Sequence, residues 1–162
     1  MNYQEIFDAE AKKAGIREVI ISPGNYGCAY LKTKKIKVPE VKSLYTLATA
    51  LHEIGHIVNG NIKPVYLGEY KAEMFVREKF REYGLPLKKK IAKRQRDYVA
   101  YRVRLSVRRA TSTKYRVDSE VLRFIKAKQP GIVHYVDGKR VIWNIKYLHE
   151  LGGKKILAIQ MV

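Results

Sequence analysis

His52 and His56 stand four residues apart in "TLATALHEIGHIVNG" (46–60), with Glu53 directly after the first. On a helix, positions i and i+4 share a face about one turn apart, so the two imidazoles can converge on a single ion. The spacing suits Zn2+, which accepts neutral imidazole nitrogens at about 2.0–2.1 Å and, in catalytic sites, uses three protein ligands and leaves one position for water. Glu53 is turned so that its carboxylate reaches that water rather than the ion. There it can take a proton during attack on a carbonyl and pass it to the leaving nitrogen. A third ligand is required, and the segment "EYKAE" (69–73) offers Glu69 and Glu73, again four apart. The competing reading is a satisfied histidine pair on an amphipathic helix that binds no metal. Against it stand the helical patterning around the motif, a glycine at position 55 that lets another segment approach, and the second helix with acids where a third ligand belongs.

These groups need two helices to hold them. From Ser43, an N-cap residue by type, Leu44, Leu47, Ala48, Leu51, Ile54, Gly55 and Val58 recur at helical spacing up to the "NGN" stop. "LGEYKAEMFVREKFREYG" (67–84) predicts the second helix. Tyr70, Met74, Phe75 and Phe80 lie on its buried side, Arg77, Glu78, Arg81 and Glu82 face water, and Gly84 and Pro86 end it.

Ahead of this pair, residues 3–14 read as a helix with Ile6, Ala9 and Ala14 on one side, ended by Gly15. "REVIIS" reads as a short buried strand closed by the "SPGNYG" turn. "CAYLKTKKIKVP" reads as one or two antiparallel strands broken near Lys34, with Pro39 marking an edge. After the pair, "LKKKIAKRQRDYVAYRVRLSVRRATS" (87–112) has no breaker and defaults to helix. Yet Tyr101, Val103, Leu105 and Val107 alternate with Arg102, Arg104, Ser106 and Arg108 at the period of a strand. "VDSEVLRFIKAK" predicts a helix capped by Asp118, with Val121, Leu122 and Ile125 facing inward. "GIVHYVDGKRVIWN" predicts a hairpin around Asp137-Gly138. A short helix near "IKYLHELGG" and a strand "ILAIQMV" complete the chain. His134 and His149 read as structural or exposed residues, and Trp143, in the hairpin's second run, reads as core.

"TLATALHEIGHIVNG" followed by "EYKAEMFVREKF" resembles the ImmA/IrrE group of small zinc metallopeptidases and, more widely, the zincins in which a glutamate supplies the third ligand. The resemblance covers residues 29 to 83, about a third of the chain. It implies His52, His56 and Glu69 as zinc ligands and Glu53 as the base. It gives Glu73 the role of orienting a ligand histidine, which raises ligand basicity and fixes the tautomer. It also implies that the "KKIKVP" strand lies beside the substrate as an edge. The sequence departs from the pattern in a short connection between motif and third ligand, and in Glu73 where an aspartate is commoner. The residue that stabilises the transition state is not assigned; Tyr66, Tyr70 and Tyr115 are candidates.

Charge is the other feature to explain. Lys and Arg number 33 against 15 Asp and Glu, a net +18. Residues 1–60 contribute +2, residues 61–129 contribute +13 and residues 130–162 contribute +3. A field of that size attracts polyanions in a salt-dependent way. The candidate phosphate contacts are Lys88, Lys89, Lys90, Lys93, Arg94, Arg96, Arg102, Arg104, Arg108 and Arg109. A solvated lysine-rich surface is the alternative, although such surfaces are usually balanced by glutamate. The single cysteine, Cys28, excludes an internal disulfide and a thiolate zinc knot, so a metal must bind through His, Asp or Glu. No apolar run reaches the roughly 20 residues needed to cross a bilayer, and the N-terminus lacks a signal-peptide pattern. We therefore expect a soluble, cytoplasmic protein.

The expected fold is α+β: a zincin-like core (1–86) with a small antiparallel sheet and an active-site helix, and a basic helical and β-hairpin extension (87–162), packed as one compact unit. The expected function is a zinc-dependent endopeptidase acting on a protein associated with nucleic acid, either a DNA-bound repressor or a protein crosslinked to or coating DNA. The rivals are a non-catalytic nucleic-acid binder with a structural zinc or no metal, and an inhibitor or toxin that binds its partner by charge. Two helices followed by a basic-tipped hairpin also fit a winged-helix sketch, by fold analogy only.

Overall fold

The computed structural model of the protein describes residues 2–109, 116–127, 133–136 and 139–142. Their order is α1 (Tyr3–Lys13), β1 (Glu18–Ser22), β2 (Cys28–Tyr30), β3 (Lys35–Pro39), α2 (Leu44–Asn59), α3 (Val65–Glu82), α4 (Lys89–Arg109), α5 (Ser119–Ile125), β4 (Val133–Val136) and β5 (Lys139–Ile142). The described residues thus form a mixed α+β structure with five helices. They divide into two compact units, Met1–Lys63 with Gly68–Ala92, and Pro64–Leu67 with Lys93–Val162.

In the first unit Asn2 starts α1 through a capping box with Glu5, satisfying two backbone donors that the helix itself cannot. Ile6, Phe7 and Ala11 then face the core. The buried Glu10 carboxylate meets Lys13 at 2.7 Å, Lys79 at 3.2 Å and the Tyr83 hydroxyl at 2.7 Å, which ties α1 to the far end of α3. Ser43 starts α2 through a second capping box with Thr46. Leu44 and every residue from Leu47 to Gly55 are buried, the pattern of a helix enclosed on all sides.

The three-stranded sheet has the order β1-β3-β2, with β1 parallel to β3 and β2 antiparallel to it. It is therefore mixed rather than antiparallel, and two further expectations are corrected. β2 and β3 do form an antiparallel pair, but β3 is the central strand, not an edge. Pro39 is accommodated because it is the last residue of the strand, where a missing donor costs least. The "SPGNYG" segment after β1 leads the chain past β3 to the opposite edge of the sheet. β1 is not buried either, for four of its five residues are exposed. α2 lies across β3 and β2 and closes over Ile36 and Val38, leaving β1 at the edge beyond that cover.

In the second unit the alternation in 101–108 proves to be part of α4, a continuous helix. Gln95, Val99, Val103 and Val107 form its buried stripe at helical spacing, while Tyr101 is exposed and Leu105 half-buried. α5 buries Val121, Leu122 and Ile125 as expected. Asp118 occupies the N-cap position without capping; its carboxylate accepts the Tyr66 hydroxyl at 3.4 Å. β4 and β5 pair antiparallel from Val133↔Ile142 to Val136↔Lys139, the register expected of the hairpin. Asp137-Gly138, Trp143, "IKYLHELGG" and "ILAIQMV" lie outside the described residues.

Candidate metal centre

All five residues singled out for metal chemistry lie in the first unit. α2 presents His52 and His56 from successive turns, and α3 presents Glu69 and Glu73 from its own buried side. The two helices approach closely at Gly55, where an added Cβ would lie 3.0 Å from the Cα of Ala72 and 3.1 Å from its carbonyl oxygen. A side chain at 55 would press on the α3 backbone, and the small residue between the two glutamates completes the contact. This one crossing brings Glu69 within reach of both histidines.

Three donor atoms converge. His56 Nε2 is 3.1 Å from His52 Nε2, and Glu69 Oε2 is 3.2 Å from each. Ligands about 2.05 Å from a tetrahedral zinc stand about 3.3 Å apart, so this near-equilateral triangle has almost the dimensions the ion requires. Among the described residues, His52, His56 and Glu69 are the group of metal-ligating side chains that meets in this way. Glu73 is placed differently: its Oε1 lies 3.1 Å from Nδ1 of His52, behind the ring, where it orients the imidazole.

Burial and charge shape the site further. His52, Glu53, Glu69 and Glu73 are buried, whereas the His56 side chain keeps 23 % of its surface exposed, so the group opens to solvent on the His56 side. Burial would depress the His52 imidazole, but Glu73, Glu69 and Glu53 outweigh it and raise it to about 10. Burial likewise acts to raise Glu69, yet hydrogen bonds and charge from both imidazoles hold it well below the usual carboxylate range. Glu53 is pushed up, because burial exceeds the attraction of the two imidazoles. The imidazoles and carboxylates thus compensate one another's charge, and Glu53 is the more basic for its burial.

One residue escaped the sequence reading. Gly27, just before β2, lies against Glu53 so closely that a Cβ there would sit 2.5 Å from Glu53 Cγ and Oε1. A single glycine after a turn gives no sign of such a contact.

The basic residues are distributed less uniformly than their sequence clustering implies. Lys88, Lys89, Lys90, Lys93 and Arg109 are exposed, and Lys93 is paired with Asp97 at 2.5 Å. Arg94, Arg96 and Arg102 are half-buried, and Arg102 lies 5.9 Å from the Tyr98 ring. Arg104 is buried, its guanidinium 5.3 Å from the ring of Tyr101, which removes it from the solvent-facing set. Arg108 lies in α4. Of the tyrosine candidates, Tyr66 and Tyr70 are both buried, and Tyr115 lies outside the described residues.

No protein-family model matches the chain, and no curated protein or solved structure matches it. Among the described residues no helix is long and apolar enough to cross a membrane.

Proposed function

We propose that the protein is a zinc-dependent metallopeptidase with a zincin-like site, in which His52, His56 and Glu69 hold the ion and Glu53 is the catalytic base. The observation that carries this reading is the triangle of three ligand atoms with edges of 3.1 to 3.2 Å, opening to solvent beside His56. Bound zinc supplies a Lewis acid that polarises a carbonyl and lowers the pKa of water. The chain's own residues do the rest. Glu73 fixes the ring of His52, and buried Glu53 accepts a proton and returns it to the leaving amine, a task suited to a carboxylate whose proton affinity burial has increased.

A structural zinc in a non-catalytic nucleic-acid binder is the rival. Structural sites usually fill all four positions with protein ligands, whereas three converge among the described residues, and this favours hydrolysis. The +13 carried by residues 61–129 supports a substrate associated with nucleic acid, such as a DNA-bound repressor or a protein crosslinked to DNA.

The test is metal content per chain for the wild type, His56→Ala, Glu69→Ala and Glu53→Gln, alongside proteolysis of candidate DNA-bound proteins. We expect about one zinc in the wild type and in Glu53→Gln, and loss or marked weakening in the two ligand variants. Proteolysis by Glu53→Gln should fall by about 10²- to 10⁴-fold. A wild-type chain that cannot be loaded with zinc ends this reading.

A further inference from the structure

Gly27 has no conformational reason to be glycine: its φ lies outside the left-handed range occupied by Gly15, Gly60 and Gly84. What requires a glycine is space. A Cβ at this position would fall 2.5 Å from Glu53 Cγ, 2.5 Å from Oε1 and 2.8 Å from Cδ, distances that real Cβ atoms essentially never show. One partner must yield to any larger residue, and the surroundings decide which.

The chain around Gly27 is held on both sides. Cys28 is paired with Lys37 in the β2–β3 ladder. Tyr26 accepts a hydrogen bond from Lys37 Nζ at 3.0 Å. Lys37 stands between the core-facing Ile36 and Val38, so its side chain projects from the other face of β3. The backbone at 27 is therefore anchored by the sheet and by the face of the sheet turned away from α2. Glu53 is the movable partner, a side chain with rotatable bonds on a helix whose backbone is enclosed.

We propose that Gly27 is a positioning residue for Glu53: its missing side chain lets the loop backbone cover the carboxylate, shielding it from water and fixing its direction. The three atoms nearest to that Cβ all belong to Glu53, so the effect is directed at the base. This inference rests on the hydrolase reading for its purpose but not for the contact itself, and the experiment separates the two.

The test is a double-mutant cycle in Gly27→Ala and Glu53→Ala, with thermal unfolding of the metal-free chain and the visible spectrum of the cobalt(II)-loaded chain as readouts. We expect Gly27→Ala to lower the unfolding midpoint in the parent and to have no such effect in the Glu53→Ala background, where the clash is gone. Cobalt stoichiometry should be unchanged in Gly27→Ala, while its d–d band envelope shifts toward that of Glu53→Ala. Should Gly27→Ala fail to fold, the same contact requires that Gly27→Ala/Glu53→Ala, which lacks all three clashing atoms, folds. An equal loss of stability in both backgrounds overturns the proposal, as does a parental cobalt spectrum in Gly27→Ala or failure of that double variant to fold. A parent chain that takes up no cobalt or zinc sinks the hydrolase reading, and the unfolding cycle alone then decides whether Gly27 positions Glu53.

Discussion

His52 is the residue on which the chemistry of the site turns, because it faces a candidate ion on one side and Glu73 on the other. In the metal-free protein it is raised from 6.5 to about 10, whereas in the unfolded chain it releases its proton near the ordinary value. Between those values the folded state binds more protons than the unfolded one. Its contribution to stability is therefore complete below pH about 6.5 and is lost as pH rises toward about 10. Glu53, also raised, acts in the same direction. Zinc needs the neutral ring, so uptake expels a proton and affinity rises with pH across the same window. Denaturant melts from about pH 6 to about pH 9.5, with and without zinc, should show metal-free stability declining while the stabilisation by zinc grows. A metal-free curve flat over that window would contradict the charge-compensated cluster. Glu73→Ala should weaken zinc binding by about 10- to 100-fold without abolishing it, measured by chelator competition, since it removes the group behind His52 rather than a ligand.

At the scale of elements, the separation of α2 and α3 is set where Gly55 meets the backbone of Ala72. Gly55→Val should force the helices apart, stretch the 3.1 to 3.2 Å triangle and reduce zinc affinity at least tenfold while the far-UV helix signal is retained. Unaltered affinity would show that the crossing does not control the site. The two helices were legible because period-3.6 patterning and the spacing of His52, His56, Glu69 and Glu73 agree with each other. The buried stripe of α3 was less so: its apolar residues were readable, but Glu69 and Glu73 sit within it, and a charge in a buried stripe is intelligible only once its partner is known. α4 was ambiguous for a different reason. Alternating Val and Arg satisfy a strand pattern over eight residues, and only the longer interval from Gln95 to Val107 distinguishes the helix. The sheet was the least legible part. Parallel pairing of β1 with β3 depends on a path across the sheet, which local composition does not encode, and exposure of β1 depends on where α2 happens to end its cover. Gly27 went unread because its partner is 26 positions away.

At the scale of the whole molecule, the five residues of the candidate site belong to one compact unit, and the basic residues from Lys93 to Arg109 belong to the other. A single charge balance nonetheless governs the protein in solution, and it bears on β1. The strand ends the sheet with Val19, Ile20 and Ile21 exposed, Ile21 at 58 %, and among the described residues no strand covers its outer side. Such an edge is a template for pairing with another chain. At low salt, copies carrying +18 each repel one another at the distance where pairing would begin. At about 1 M salt the Debye length falls to about 3 Å and that protection is gone. Light scattering against salt concentration should therefore show association that Ile21→Lys suppresses; identical behaviour of the two chains would place the adhesive surface elsewhere. The excess of lysine and arginine, read at first as a means of reaching polyanions, then also sets the colloidal limit of the protein, so that whatever neutralises it releases the edge of its own sheet.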